Sequence, residues 1–199
     1  MSDQETMMAY AKAASEYADK FADPGSENQD TDSDAFLNNI PAGGRILDLG
    51  CGPGHWAAKL RDAGLTVDAM DASPEMAQLA KSRFGLDVQV GAFDDLNAEN
   101  HYDGIWANFS LLHVPRADFP NHLVRIHHAL RPGGSLSIGM KIGSGERRDH
   151  LGRFYSYYGE QELRDLLTKA GFTVTRARQG NGKGLAGSVE TFVVMTAHG

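Results

Sequence analysis

The densest chemistry in the chain sits in Ile46-Leu47-Asp48-Leu49-Gly50-Cys51-Gly52-Pro53-Gly54, an apolar run that opens into glycine at every second position. Glycines there permit positive φ and let a ligand approach the backbone closely. A helical pattern starts near His55, so the loop lies where a buried strand hands over to a helix. In open α/β sheets that is where nucleotide-like ligands bind. Asp71 ends the next apolar run, seventeen residues after Gly54. An acidic side chain at that point can accept hydrogen bonds from both hydroxyls of a ribose.

Gly52-Pro53-Gly54-His55-Trp56-Ala57 formally matches the dinucleotide fingerprint G-x-G-x-x-G/A. Pro53, however, removes a backbone N–H where a pyrophosphate needs donors. Asp48 and Asp71 also bring negative charge towards what would be an anion. No Tyr is followed by Lys at i+4, so the tyrosine–lysine pair of short-chain dehydrogenases is missing. The ligand better suited to these residues carries a ribose without phosphate and is cationic. An NAD(P)-dependent oxidoreductase stays open as the rival reading.

The elements that must position these residues alternate. Strand-like runs are Ile46–Leu49, Thr66–Asp71, Val88–Val90, Gly104–Ala107 and Ser135–Ile142, then Phe172–Ala177 and Val189–Thr196. Between them, apolar residues recur at helical spacing: Trp56, Leu60, Ala63; Met76, Leu79, Ala80; Phe119, Leu123, Ile126, Leu130; and Leu163, Leu166, Leu167, Ala170. Ser73 followed by Pro74 marks a helix start, and Arg131-Pro132-Gly133-Gly134 a stop. Such alternation predicts an α/β fold with a parallel sheet and helices on both faces. Upstream, residues 7–21 read as a helix with Tyr10, Ala14, Tyr17 and Phe21 recurring, residues 23–34 as an exposed acidic linker, and Ala35–Ile40 as a short helix.

The 199 residues suit one domain with a sizeable core. The net charge of -7 resides in residues 1–50, which hold ten Asp/Glu against three Lys/Arg; residues 51–199 hold sixteen of each. Nothing there favours a polyanion, so no nucleic-acid partner is expected. Arg176, Arg178 and Lys183 read as solvating a strand end. No apolar run approaches the ~18 residues of a membrane span, and the polar N-terminus does not read as a targeting peptide. Cys51 is the single cysteine, excluding an internal disulfide framework or a cysteine zinc cluster; it reads as a small buried filler. A cytoplasmic location is expected. Eight histidines give no metal-ligand spacing, so no metal is expected.

Five motifs in order, ILDLGCGPG (46–54), VDAMDASPEMAQLA (67–80), FDDL (93–96), YDGIWANFSLLHVP (102–115) and LRPGGSLSI (130–138), resemble the class I S-adenosylmethionine (SAM) dependent methyltransferases over roughly residues 40–196. The stretch 141–158, followed by ELRDLLTKAGF, further resembles a bacterial subgroup acting on small molecules. The resemblance implies a doubly wound, seven-stranded, mostly parallel sheet whose last strand runs antiparallel beside the fifth. It implies a cofactor, SAM, with S-adenosylhomocysteine (SAH) as product, and a small-molecule methyl acceptor. By resemblance, Gly50 and Gly52 face the methionine part, Asp48 its amino group, and Asp71 the ribose. Ala72, Met76 and Phe93 border the adenine, and Asp94 reads its amino group, since Ala92 stands where an acidic residue is commoner. Asn108, Phe109 and His113 pass the sulfonium towards the acceptor. A SAM-binding protein without catalysis is the second rival.

The expected organisation is a lid helix and acidic linker (1–34), a SAM-binding half (35–142), a substrate cap (143–158) and a C-terminal helix with two strands (159–199). Tyr10 and Tyr17 are the lid's candidate aromatic faces for a sulfonium. His113 is the candidate catalytic group. Lys141, Arg153 and Tyr157, with Arg147, Arg148, Tyr155 and Tyr158 nearby, are the candidates for an anionic or aromatic substrate, because 143–158 is too long for an ordinary connector.

Overall fold

The computed structural model describes residues 3–20 and 30–199, leaving the side chains of Tyr17 and Lys20 aside. Strands β1 (Arg45–Leu49), β2 (Thr66–Asp71), β3 (Val88–Val90), β4 (Tyr102–Asn108), β5 (Leu130–Lys141), β8 (Thr173–Lys183) and β9 (Val189–His198) form one sheet in the order β3-β2-β1-β4-β5-β9-β8. The first five strands pair in parallel, and β9 runs antiparallel between β5 and β8. The doubly wound sheet with an inserted antiparallel last strand is as expected. The Pro132–Gly134 turn sits inside β5, where the pairing with β4 slips between Tyr102 and Gly104.

Alternation along the central strands explains the two layers. Leu47, Leu49, Ile105 and Ala107 face one side with Ile126 of α6 (Phe119–Ala129) and Leu163 of α7 (Glu160–Lys169). Ile46 and Trp106 face the other, against Trp56 and Leu60 of α4 (His55–Asp62) and Phe36 of α3 (Asp30–Leu37). Helix α5 (Pro74–Phe84) starts as its sequence announces, with Ser73 Oγ accepting from the Met76 N–H at 3.2 Å.

Two expectations need correction. The N-terminal helix is two helices, α1 (Gln4–Lys12) and α2 (Ala14–Lys20), broken at Ala13. The halves have different partners: Asp19 of α2 pairs with Arg83 of α5 at 2.6 Å, whereas α1 lies over the segment after β5. Residues 30–34, expected in an exposed linker, open α3, and Asp32 is fully buried. Its carboxylate accepts from Arg176 Nη1 at 2.6 Å and Arg178 Nε at 2.9 Å. Those arginines therefore clamp α3 to β8 and do not merely solvate a strand end. Residues 21–29, including Phe21 and most of the expected linker, lie outside the described residues.

Segment 143–158 folds as a small hairpin, β6 (Glu146–Arg148) with β7 (Phe154–Ser156), beyond the carboxyl end of β5. Helix α1 is fastened to it. Asp3 receives two hydrogen bonds from the Arg148 guanidinium at 2.8 and 2.7 Å, and Thr6 Oγ1 accepts from the Phe154 N–H at 2.8 Å. No helix among the described residues is long and apolar enough to cross a membrane.

Candidate active site

The carboxyl ends of β1, β2, β4 and β5 meet at two adjoining cavities that share Tyr10, Gly50, Gly52 and Phe109. Gly50, Gly52 and Gly54 all have positive φ, and a Cβ on Gly50 would lie 2.3 Å from Ser110 Cβ. Only glycine allows this loop to pack so closely against the turn after β4. Every loop amide is already used: Gly50 and Cys51 donate to the Met70 carbonyl, Gly52 to Asp71 Oδ2 at 2.7 Å, and Gly54 to the Cys51 carbonyl. With Pro53 having none, the loop offers no N–H to a pyrophosphate, in contrast to a dinucleotide site.

Asp71 thus ties the glycine loop to the start of α5, since its Oδ1 accepts from the Ser73 N–H at 2.9 Å. The capping and ligand readings of this residue are compatible, because a carboxylate offers about four acceptor sites and the backbone does not fill them all. Burial raises its carboxyl pKa, opposed by the N–H groups of Ser73, Gly52 and Ala72. Asp48 is 2% exposed. Burial, reinforced by the Asp71 charge, pushes its pKa up to about 8, against the Ala57 N–H that holds it down. Its Oδ2 has no hydrogen-bond partner among the described residues, although Asp48 lines a cavity. A buried, unpartnered carboxylate oxygen is what an ammonium group requires. Burial, with the same two acidic groups, pushes the Cys51 thiol well up, which counts against a nucleophilic role.

The smaller cavity, about 110 Å3, is walled by Asp71, Ala72, Met76, Phe93 and Asp94, and by Asp3 together with Thr6, Met7 and Tyr10 of α1. These residues suit a nucleoside: a diol acceptor at Asp71 and an apolar wall at Met76 and Phe93. Asp94 lies 3.9 Å from His122 Nε2. The larger cavity, about 490 Å3, runs from Asp48 and Asn108 past Phe109 to Lys141, Arg153, Tyr155, Glu190 and Phe192. Asn108 is fixed by the Ser137 hydroxyl at 3.1 Å. Phe109 has φ 60°, strained for a bulky residue, and lies between the two cavities.

His113 lines the smaller cavity and has both ring nitrogens engaged. Nδ1 lies 2.6 Å from the Phe154 carbonyl, which makes it the donor, so Nε2 accepts from the Tyr10 O–H at 2.9 Å. Burial depresses its pKa to about 4, opposed by the Phe154 carbonyl. Tyr10 in turn accepts from Arg153 Nη1 at 3.2 Å. Arg153, expected to read an anionic substrate, is 3% exposed and bound to Asp149 at 3.0 and 2.7 Å. Tyr157, also expected at the substrate, is 2% exposed and donates to Glu190 Oε1 at 3.2 Å, so Tyr155 takes the cavity wall. Lys141 lines the larger cavity, ion-paired with Glu190. The Tyr17 side chain lies outside the described residues.

Glu190, Phe192 and the β8–β9 turn were not singled out by sequence. The available signal was the antiparallel strand itself, which places Phe192 opposite Lys141.

The methyltransferase domain family matches residues 27–177. An "Uncharacterized methyltransferase" of Staphylococcus carnosus is 31% identical over 133 residues, 66% of this chain and 63% of that protein. The trans-aconitate 2-methyltransferase of Mycobacterium tuberculosis is 36% identical over 96 residues, covering 47% of this chain and 36% of its own. The chain thus spans less than two thirds of the length of these relatives. The 1,6-didemethyltoxoflavin-N1-methyltransferase of Burkholderia thailandensis, solved with its substrate and SAH, superposes with a TM-score of 0.78 at 27% identity, over 98% of this chain and 87% of that one. With five motifs in order, a glycine loop flanked by two buried acids and a family match over most of its length, this chain belongs to the methyltransferase domain family, in its class I S-adenosylmethionine-dependent form.

Proposed function

We propose that the protein transfers a methyl group from SAM to a small-molecule acceptor, in the cytoplasm. The observation that carries this is the pairing of Asp48, with a buried unpartnered oxygen, and Asp71, with acceptor capacity remaining, around a glycine loop whose amides are all spent. SAM supplies an electrophilic methyl on a sulfonium centre. Asp48 holds the amino group, Asp71 the ribose, Ala72, Met76 and Phe93 the adenine, and Asp94 its amino group. Asn108 and Phe109 stand where the two cavities meet and orient the methyl-bearing end. Methyl transfer by in-line displacement asks for positioning and exclusion of water more than for acid–base groups.

The chain's own residues serve that end. Helix α1 covers the smaller cavity as a lid, and His113 acts as a positioning residue that holds Tyr10. Its lone pair is spent on the Tyr10 hydroxyl, which counts against a role as base. Hairpin β6–β7 caps the acceptor end. A small acceptor is supported by the cavity of about 490 Å3 and by the superposing enzyme, solved with 1,6-didemethyltoxoflavin bound.

Calorimetry of SAM, SAH and NAD tests the reading. SAH should bind and NAD should not, and Asp71→Ala should weaken SAH at least tenfold, because the ribose hydroxyls lose a charged acceptor worth about 1.5–3 kcal/mol. Equal affinity for NAD, or an unchanged SAH affinity in folded Asp71→Ala, overturns it.

A further inference from the structure

Three cations near the acceptor end are already neutralised. Arg148 is bound to Asp3, Arg153 to Asp149 and Lys141 to Glu190. Arg147 is exposed and stacks its guanidinium 3.5 Å above the Tyr157 ring, which lies outside both cavity walls. Lys183, at the end of β8, also lines the larger cavity, but it is exposed; an anionic acceptor reaching the buried end beyond it would have to break one of these pairs and leave a carboxylate of the protein uncompensated, a costly exchange. The walls there are aromatic. Phe109 and Phe192 stand edge to face at 5.3 Å and 90°, and Lys141 Nζ lies 3.6 Å above the Tyr155 ring.

Lys141 and Glu190 are the polar groups of this end that retain hydrogen-bonding capacity side by side. Both line the cavity, with side chains 15% and 25% exposed. Lys141 spends one N–H on Glu190 Oε2, and Glu190 Oε1 accepts from Tyr157. That leaves further N–H donors on Lys141 and a lone pair on each Glu190 oxygen. The pair therefore presents one donor next to one acceptor, with no net charge, at the rim of an aromatic slot.

Resting on the methyltransferase reading above, we propose that Lys141 and Glu190 form the acceptor-recognition edge and select a neutral, planar aromatic heterocycle carrying an adjacent carbonyl and N–H. The ring lies among Phe109, Tyr155 and Phe192. Its carbonyl accepts from Lys141, and its N–H donates to Glu190.

The test uses the full chain saturated with SAH and three bicyclic probes of similar size: quinolin-2-one, quinoline-2-carboxylate and naphthalene. Their affinities are measured by ligand-observed NMR competition. Quinolin-2-one should bind at least tenfold tighter than either of the others. Carboxylate binding as tight as the lactam, or naphthalene equal to both, overturns the proposal. Glu190→Gln, which is isosteric, leaves Lys141 with an unbalanced positive charge. The lactam-to-carboxylate ratio should then fall at least tenfold, and an unchanged ratio overturns the proposal too. Should Glu190→Gln fail to fold by circular dichroism, the wild-type preference alone decides. SAH titration of the wild type is read separately, so failure of the methyltransferase reading is distinguishable from failure of this one.

Discussion

The Tyr10 hydroxyl donates to His113 Nε2 at 2.9 Å, joining two residues 103 positions apart. One end of the bond belongs to α1 and the other to the turn after β4, from which both cavities are built. The two rings also meet edge to face at 5.3 Å. Closure of the N-terminal helix is thus registered directly in the wall of the site. Two further contacts, Thr6 to Phe154 and Asp3 to Arg148, carry the same helix onto the hairpin. The attachments are mostly polar and few, which suits a segment that opens and recloses.

From this, SAH should slow hydrogen exchange along Gln4–Lys12 and protect that helix from protease. Tyr10→Phe keeps the ring but loses the hydroxyl, so the protection should weaken by at least threefold while α4 and α5 stay unaffected. Equal exchange of Gln4–Lys12 with and without SAH leaves α1 as a purely structural element.

Asp48 predicts proton release on binding. Its folded-state pKa of about 8 means it is mostly protonated at pH 7, whereas an ammonium ligand needs it ionised. A group whose pKa falls on binding gives up its proton, so affinity should rise with pH, about tenfold per unit, until it levels off near 8. Calorimetry in phosphate and Tris at pH 7 should show close to one proton released per SAH, and none for Asp48→Asn. Identical binding enthalpies in both buffers for the wild type would falsify the contact.

The sheet, its helices and the Asp48–Gly52–Asp71 constellation were legible because each depends on local pattern: period, caps and glycine spacing. What escaped the sequence depends on pairs far apart in it. Asp32 sits in an acidic stretch that reads as solvated, and its partners Arg176 and Arg178 are 144 and 146 residues away. Arg153 reads as a free cation after a glycine, but Asp149 folds back onto it through the hairpin. Glu190 lies in a strand where no motif marks it, and becomes visible only when β9 is laid beside Lys141 at the end of β5.

The Asp32 clamp should therefore be a matter of stability and not of chemistry. Asp32→Ala strands two guanidinium groups beside a buried position, a loss on the order of 3 kcal/mol. Urea unfolding should show that loss. SAH affinity, measured where the variant is folded, should stay within threefold of wild type, since α3 touches neither cavity. A tenfold weaker SAH would place α3 in the cofactor site.

His113 sets the pH dependence of the closed form. Burial depresses its pKa from 6.5 to about 4 in the folded protein, with Arg153 and Lys141 acting in the same direction. Between those values the unfolded chain takes up a proton that the folded chain refuses, so the contribution is favourable above pH 6.5 and is lost as pH falls towards 4. Its full size is up to about 3 kcal/mol. His55 is depressed to about 4 as well, and Asp48 moves the opposite way, so the raw stability curve mixes several groups. Comparing wild type with His113→Gln removes them, because they are common to both proteins. The stability difference between the two, from urea unfolding at steps from pH 7.5 to 4.5, should shift steadily against the wild type below pH 6.5. Parallel curves over that range would mean that His113 is not held neutral between Tyr10 and Phe154.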